Sequence, residues 1–321
     1  MNPSNYKLEN ISVIGLGGVG GFFGGRIAHY LESNSIETPK IYFIARGKHL
    51  EAIRSHGLIL NTEETRGMIC RPALAADDLD SIPVSDLYLL CVKSYDLDDA
   101  VLKLKHHIRK DSMILPLLNG ADIYDRIRTH LKTGIVLPAC AYVGTHIEKP
   151  GVVSQNGGGG IILCGNDPKA SGFDPARLID LFEKAGISFQ WKPDPFPSIW
   201  EKFVFIAGYG LVTADTGMTM GEVLENNDVL ESARRIMGEI TAIAYKKGVN
   251  LPENIIDVSI EKAKNFPYEV KTSFQRDVET KGKRNEGDLF GGTVIRLGES
   301  LGIPTPETRS VYASIQSRLL Q

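Results

Sequence analysis

The segment Ile11-Ser12-Val13-Ile14 runs straight into Gly15-Leu16-Gly17-Gly18-Val19-Gly20, and a helix-forming stretch from Phe22 to Leu31 follows at once. Strand, G-x-G-x-x-G and helix in that order form the fingerprint of a dinucleotide-binding unit. Gly15 permits the tight turn, Gly17 lets the backbone approach a pyrophosphate, and Gly20 lets the helix pack closely on the strand. The helix N-terminus then offers N–H groups and partial positive charge to the phosphates. Leu16, Gly18 and Val19 complete the expected cofactor loop. The competing reading is a glycine-rich loop with no ligand.

The second strand, Lys40 to Ala45, ends at Arg46 and is followed by Gly47, Lys48 and His49. NAD-binding folds place a carboxylate here for the ribose 2′-hydroxyl, whereas a guanidinium suits a 2′-phosphate. The expected cofactor is therefore NADPH/NADP+, with a solvated basic turn as the alternative.

Composition excludes several other classes. The 321 residues carry a net charge of −3, with neither a basic tract for nucleic acid nor an acidic tail. No apolar run is long enough to span a bilayer, and the polar stretch Met1 to Glu9 lacks a signal-peptide core. Cys70, Cys91, Cys140 and Cys164 are widely spaced, without C-x-x-C or a histidine at ligand spacing, so they read as buried free thiols. No metal is expected, and a reducing cytoplasm fits. His106-His107 reads as a solvated helix end. Apolar helical faces are compatible with a homodimer, which no sequence feature fixes.

Strand and helix signals alternate up to residue 193. Strands are expected at Ile11–Ile14, Ile41–Ala45, Leu87–Val92, Met113–Leu118 and Ile135–Val143, with helices at Leu50–His56, Leu97–Ile108 and Ile123–Leu131. This rhythm predicts a parallel doubly wound sheet over residues 1–193. Leu58–Leu60, Gly67–Arg71, Val152–Gln155 and Ile161–Cys164 read as antiparallel edge additions, and Gly157–Gly160 as a hairpin turn. A helix at Ala176–Ala185 and a strand at Ser188–Lys192 close this half. Pro193, Pro195 and Pro197 suggest a hinge. Residues 194–321 then read as helices at Ser198–Tyr209, Asp228–Lys247, Ile255–Ala263, Asp288–Leu301 and Glu307–Leu319. An all-helical domain that supplies substrate and catalytic groups over the nicotinamide is expected.

Three polar positions stand out. Lys93 follows the strand Leu87–Val92, and Asn119 follows Met113–Leu118. Both lie at strand carboxyl ends, where open α/β sheets bind ligands, although either could be an ordinary loop residue. Lys202 enters the apolar stretch Phe203-Val204-Phe205-Ile206. It either snorkels outward or presents an ammonium that polarises a carbonyl and delivers a proton.

In this order the motifs resemble the ketopantoate reductase (2-dehydropantoate 2-reductase) family over nearly the whole chain. They comprise the glycine loop, Arg46, Val92-Lys93-Ser94, Asn119-Gly120, the segment from Gly144 to Gly151, and Trp200-Glu201-Lys202. Near the C-terminus, Thr272-Ser273-Phe274-Gln275-Arg276-Asp277 is similar to the family's S-S-M-x-x-D. Asn285-Glu286-Gly287-Asp288 is similar to its T-E-I-D, one residue further along than the family pattern. The resemblance implies an α/β fold class: an N-terminal Rossmann-type doubly wound sheet with an all-helical C-terminal domain of the 6-phosphogluconate-dehydrogenase type. It implies NADPH-dependent reduction of a small 2-keto acid, ketopantoate, with Lys202 as general acid and Glu286 orienting it and contacting the cofactor. Ser273 would hold the substrate carboxylate, Lys93 would contact the cofactor, and Asn119 would contact cofactor and substrate.

The chain departs from the family at Ile206, Gly210 and Met220, where asparagines are usual. Losing amides from a polar site changes discrimination more than reaction class; Tyr209, Thr213 or Thr216 could compensate. A related NADP-dependent 2-keto acid reductase, an opine-type dehydrogenase, and a non-catalytic NADP-binding sensor stay open as alternatives.

Overall fold

The computed structural model describes residues 8–170 and 172–319. The polar stretch from Met1 therefore lies mostly outside the described residues. The chain divides into two compact units, one of residues 1–119 and 123–195, the other of 120–122 and 196–321.

In the first unit, six parallel strands form one sheet: β1 (Asn10–Ile14), β2 (Lys40–Ile44), β5 (Leu74–Ala76), β6 (Leu87–Leu90), β7 (Met113–Pro116) and β8 (Ile135–Val136). Their spatial order is β5-β2-β1-β6-β7-β8. This is the Rossmann order, which reverses direction between β1 and β6 and opens a crevice beyond their carboxyl ends. Both β6 and β7 are buried along their whole length, as fits central parallel strands covered on two faces.

The helix α1 (Gly18–Ser33) is glycine-rich because it lies between β1 and a second, smaller sheet. A Cβ at Gly24 would come within 2.8 Å of Val13, and one at Gly21 within 2.6 Å of Val153. Its own Phe22, Phe23 and Ile27 are buried and join Phe43 in the core, each contributing about 1.5–3 kcal/mol of transfer free energy.

The small strands correct the sequence reading. β3 (Leu58–Asn61), β4 (Met68–Cys70), β10 (Thr145–Lys149) and β11 (Val152–Gln155) form a separate sheet, not edge additions. Its β3–β11 pair is parallel. β9 (Ala139–Tyr142), β12 (Ile161–Gly165) and β13 (Ser188–Lys192) form a third sheet, in which β12 and β13 are parallel. The single strand expected over Ile135–Val143 is broken at Leu137-Pro138, since proline lacks the N–H a central strand needs. Gly157–Gly160 is likewise not a hairpin turn, because it carries the chain from β11 in one sheet to β12 in another. Gly144 holds it there, donating its N–H to Gly157 at 2.7 Å.

Among the connecting helices, α2 (Gly47–His56), α3 (Leu97–Leu104), α4 (Ile123–His130) and α5 (Ala176–Lys184) follow the predicted rhythm. The chain leaves α3 at Leu104, and His107 is buried instead of solvated. Tyr88 packs edge-on against its ring and donates its hydroxyl to the His107 carbonyl at 2.5 Å.

The second unit is helical, with no strand among its described residues. Its centre is α6 (Phe196–Thr216), apolar nearly all round and therefore buried on most sides. Gly208 lets α8 (Asn227–Lys246) cross closely, since a Cβ there would lie 2.6 Å from Met237. Around α6 pack α7 (Met220–Glu225), α9 (Ile255–Ala263), α10 (Ser273–Glu279), α11 (Thr293–Leu301) and α12 (Pro306–Leu319). The helix expected over Asp288–Leu301 begins as a wider π-type turn, Asp288–Gly292, before α11.

Candidate nucleotide and catalytic sites

The glycine loop leaves β1 at the sheet's switch point. Gly15 adopts φ +91°, and a Cβ there would lie 2.9 Å from the Cys91 carbonyl at the end of β6. Gly20 lies against the loop it follows, so an added Cβ would collide with the Gly15 carbonyl oxygen. Above Gly17 the space is open, with nothing within 4 Å of a built Cβ. Gly17 precedes α1 without a side-chain cap, and the first helical bond is Gly21 N–H to the Gly17 carbonyl at 2.8 Å. The N–H groups of Gly18, Val19 and Gly20 thus lack intrahelical partners, and the first turn carries no acid. This cradle fits a pyrophosphate in shape, donors and field.

A groove runs from this loop along the strand ends. It brings together five predicted positions, Gly15, Leu16, Gly17, Arg46 and Lys93. Arg46 is exposed and directly precedes α2, following Ala45, whose N–H donates to Ala76 of β5 at 3.0 Å. The same groove is lined by residues not singled out from sequence: His49, Asp77, Asp78 and Ile147. The three-residue β5 gave too short a signal to announce Asp77 and Asp78, and Ile147 arrives from another sheet. Asp78 accepts from the Ser81 N–H and hydroxyl, which hold its carboxyl below the usual range. His49 accepts the Gly151 N–H on Nδ1 at 3.0 Å. Burial pushes the His49 pKa down. Asn119 follows β7 but does not line this groove.

Lys202, Ser273 and Glu286 belong to the helical unit. Lys202 is half-buried on α6. The neighbouring Phe203 stacks on Phe290 with ring centroids 6.5 Å apart, and the Phe290 N–H donates to the Glu286 carbonyl at 3.2 Å. That path ties the Lys202 turn of α6 to the segment carrying Glu286, which is only 6% exposed. Ser273 is the exposed first residue of α10, whose preceding Thr272 caps it by accepting the Gln275 N–H at 3.2 Å. Thr272 also shares a 2.9 Å hydrogen bond with Thr213 of α6. The helices α7 and α10 were missed from sequence although each opens with a capping pattern, Thr219-x-x-Glu222 and Thr272-x-x-Gln275.

Of the three residues offered as replacements for the missing amides, two are already engaged. Thr213 donates to the Tyr209 carbonyl at 2.8 Å, and Thr216 donates to Val212 at 2.8 Å. Tyr209 is fully buried and its hydroxyl has no hydrogen-bond partner. All four cysteines are free; Cys91 is half-buried beside the groove and the others are buried. Among the described residues, no cluster of three or more metal-ligating side chains occurs, and no helix is long and apolar enough to cross a membrane.

A Rossmann-ordered sheet with a pyrophosphate cradle, and a helical unit offering a lysine and a buried glutamate, define the class of two-domain dinucleotide-dependent oxidoreductases. Within it the chain belongs to the ketopantoate reductase family: the family model "Ketopantoate reductase PanE/ApbA" matches residues 11–168, and its C-terminal counterpart matches 196–318. A 2-dehydropantoate 2-reductase from Streptococcus pyogenes serotype M18 (strain MGAS8232) is 27% identical, covering 84% of this chain and 87% of that protein. The crystal structure of a PanE/ApbA family ketopantoate reductase from Ralstonia eutropha JMP134 superposes with TM-score 0.85 at 29% identity, covering 96% of this chain and 97% of the other. The fold is also that of a D-mandelate dehydrogenase solved with NADH and anilino(oxo)acetate, with TM-score 0.82 at 19% identity, covering 97% and 98% of the two chains.

Proposed function

We propose that this chain reduces 2-dehydropantoate (ketopantoate), or a close 2-keto acid, to the 2-hydroxy acid with NADPH, in the reducing cytoplasm and on the route to pantothenate and coenzyme A. Family membership supports the reaction class. The observation that carries the cofactor reading is Arg46 on the groove that begins at the open, uncapped glycine loop. Its guanidinium suits a 2′-phosphate. Gly15 to Gly20 hold the pyrophosphate, and Lys93 and Asn119 contact the cofactor further along.

When bound, the reduced nicotinamide supplies the hydride. Lys202 holds the keto oxygen through its ammonium, stabilises the negative charge that grows there as C2 accepts the hydride, and transfers its proton to that oxygen. The C=O π bond becomes C–H and O–H bonds, and Lys202 regains its proton from solvent. Glu286 orients the ammonium and reaches the cofactor, Ser273 donates to the substrate carboxylate, and Asn119 steadies the substrate. The D-mandelate dehydrogenase likeness keeps a different 2-keto acid in view as the second reading.

The test is NADPH consumption with a panel comprising ketopantoate, benzoylformate and simple aliphatic 2-keto acids, each with and without an amine. Reduction of ketopantoate or a close analogue, independent of amine, is expected. Turnover only with an amine would establish an opine-type dehydrogenase, and tight NADPH binding without any turnover would establish a sensor.

A further inference from the structure

The groove that starts at the glycine loop continues past the end of β2 to the end of β5, all within the first unit. Since β5 lies beyond β2 in the sheet, this end of the groove is on the Arg46 side of the glycine loop. A 2′-phosphate on Arg46 therefore brings the adenosine half of the cofactor here. Leu79, Val92 and Ala100 line the groove and offer a flat base an aliphatic surface; Leu79 and Ala100 are buried.

Asp78 lines the same stretch with its carboxylate held in one orientation. Its Oδ1 accepts the Ser81 N–H at 2.8 Å, and the Ser81 hydroxyl lies 3.0 Å from each oxygen. A hydroxyl donates one proton, whereas each carboxylate oxygen can accept two, so acceptor capacity remains. The bonds from Ser81 also hold the carboxyl below the usual range, which keeps it ionised and purely an acceptor at neutral pH. The two other carboxylates of the groove have different neighbours. Asp77 is drawn to Arg54 at 3.8 Å, and Asp96 sits in the Lys93 turn, its N–H donating to the Lys93 carbonyl at 2.9 Å.

A carboxylate in a groove that receives phosphates is a cost unless it meets a donor, because like charges repel. Adenine carries a donor on its edge, the 6-amino group, while its N7 accepts. Resting on the NADPH reading above, we infer that Asp78 accepts a hydrogen bond from the 6-amino group of the cofactor's adenine, with the base against Leu79, Val92 and Ala100. Asp78 is then a specificity residue for the purine, as Arg46 is for the 2′-phosphate, and selects a 6-aminopurine dinucleotide over its 6-oxo counterpart.

The test compares the Kd of NADPH with that of reduced nicotinamide hypoxanthine dinucleotide phosphate, both read by reduced-nicotinamide fluorescence. In the second nucleotide a 6-oxo group replaces the amine and meets the carboxylate as acceptor against acceptor. The expected Kd ratio, hypoxanthine form over adenine form, is at least about ten, as for loss of a hydrogen bond to a charged group. Asp78→Asn keeps the acceptor for the Ser81 N–H and adds a donor for the 6-oxo group, so the ratio should fall below about three. Asp78→Ser also caps the turn, carries no charge and lowers the ratio likewise, which keeps the test open if the first variant folds poorly. Asp77→Asn leaves the ratio as it was. A wild-type ratio short of the expected value, a ratio that neither Asp78 variant lowers, or one that Asp77→Asn lowers instead overturns the inference and leaves the NADPH reading intact. Failure of the unmodified protein to bind either nucleotide overturns the NADPH reading and this inference with it.

Discussion

Thr213 on α6 and Thr272, the residue that caps α10, share a hydrogen bond of 2.9 Å. The side of α6 that carries Lys202 is thereby pinned to the helix start that carries Ser273. Replacing Thr272 with alanine removes both the cap and this link. Loss of an N-cap costs about 1 kcal/mol, measurable in denaturant unfolding. The KM for the keto acid should rise while the NADPH Kd stays as it was. An unchanged KM with the expected loss of stability would show that the pairing is structural only.

Arg46 provides the test of cofactor choice. A hydrogen bond to a charged group is worth about 1.5–3 kcal/mol, so Arg46→Ala should weaken NADPH binding by about ten- to a hundredfold. NADH binding should barely change, because NADH has no 2′-phosphate. Equal affinities for the two cofactors in the unmodified protein, unaltered by the substitution, would contradict the NADPH assignment.

His49 gives the nucleotide-binding unit a pH dependence with a definite sign. Its Nδ1 accepts the Gly151 N–H, and burial lowers its pKa from the ordinary 6.5. Below about 6.5 the unfolded chain protonates this ring while the folded one resists, so stability is complete above that pH and is lost as pH falls through the lower folded value. Thermal unfolding of the unmodified protein should therefore decline more steeply below pH 6.5 than that of His49→Gln. Parallel declines would show that another group controls the acid limb.

Arg128 and Asp167 form a buried ion pair beneath the sheet end, with side chains 6% and 0% exposed. Asp167 also accepts the Tyr124 hydroxyl at 2.7 Å and the Val136 N–H at 2.9 Å. Asp167→Ala leaves the guanidinium buried without its counter-charge and should cost about 3–5 kcal/mol in urea unfolding. Adding Arg128→Met should restore part of that loss, since the stranded charge is then gone. No recovery in the double variant would mean that the Tyr124 and Val136 bonds dominate.

Of the parallel sheet, β1, β2, β6 and β7 were legible because their apolar runs are long and each leads into a helix signal, whereas the three-residue β5 was too short to announce itself. The two small sheets were not legible. Which partner β11 or β12 takes depends on chain path over distance, and the spacing around Gly157–Gly160 suits a hairpin as well as a crossing between sheets. His107 was misread because its burial comes from Tyr88, nineteen positions away, and not from its basic neighbours. In the candidate site, the glycine loop and Arg46 were readable from local order. Asp77, Asp78 and His49 were not, since the groove they line is assembled by strand order in the folded sheet. On α6, the four-residue spacing of Lys202, Ile206 and Gly210 was visible, but the engagement of Thr213 by Thr272 required the fold.

The proposed reduction turns on Lys202, and the most direct measurement of it is turnover and cofactor binding in Lys202→Ala. Removing the general acid and the charge on the keto oxygen should lower kcat by about 10²–10⁴-fold, with the NADPH Kd within a factor of two or so of the unmodified protein. Normal turnover with the lysine gone would contradict the proposed mechanism.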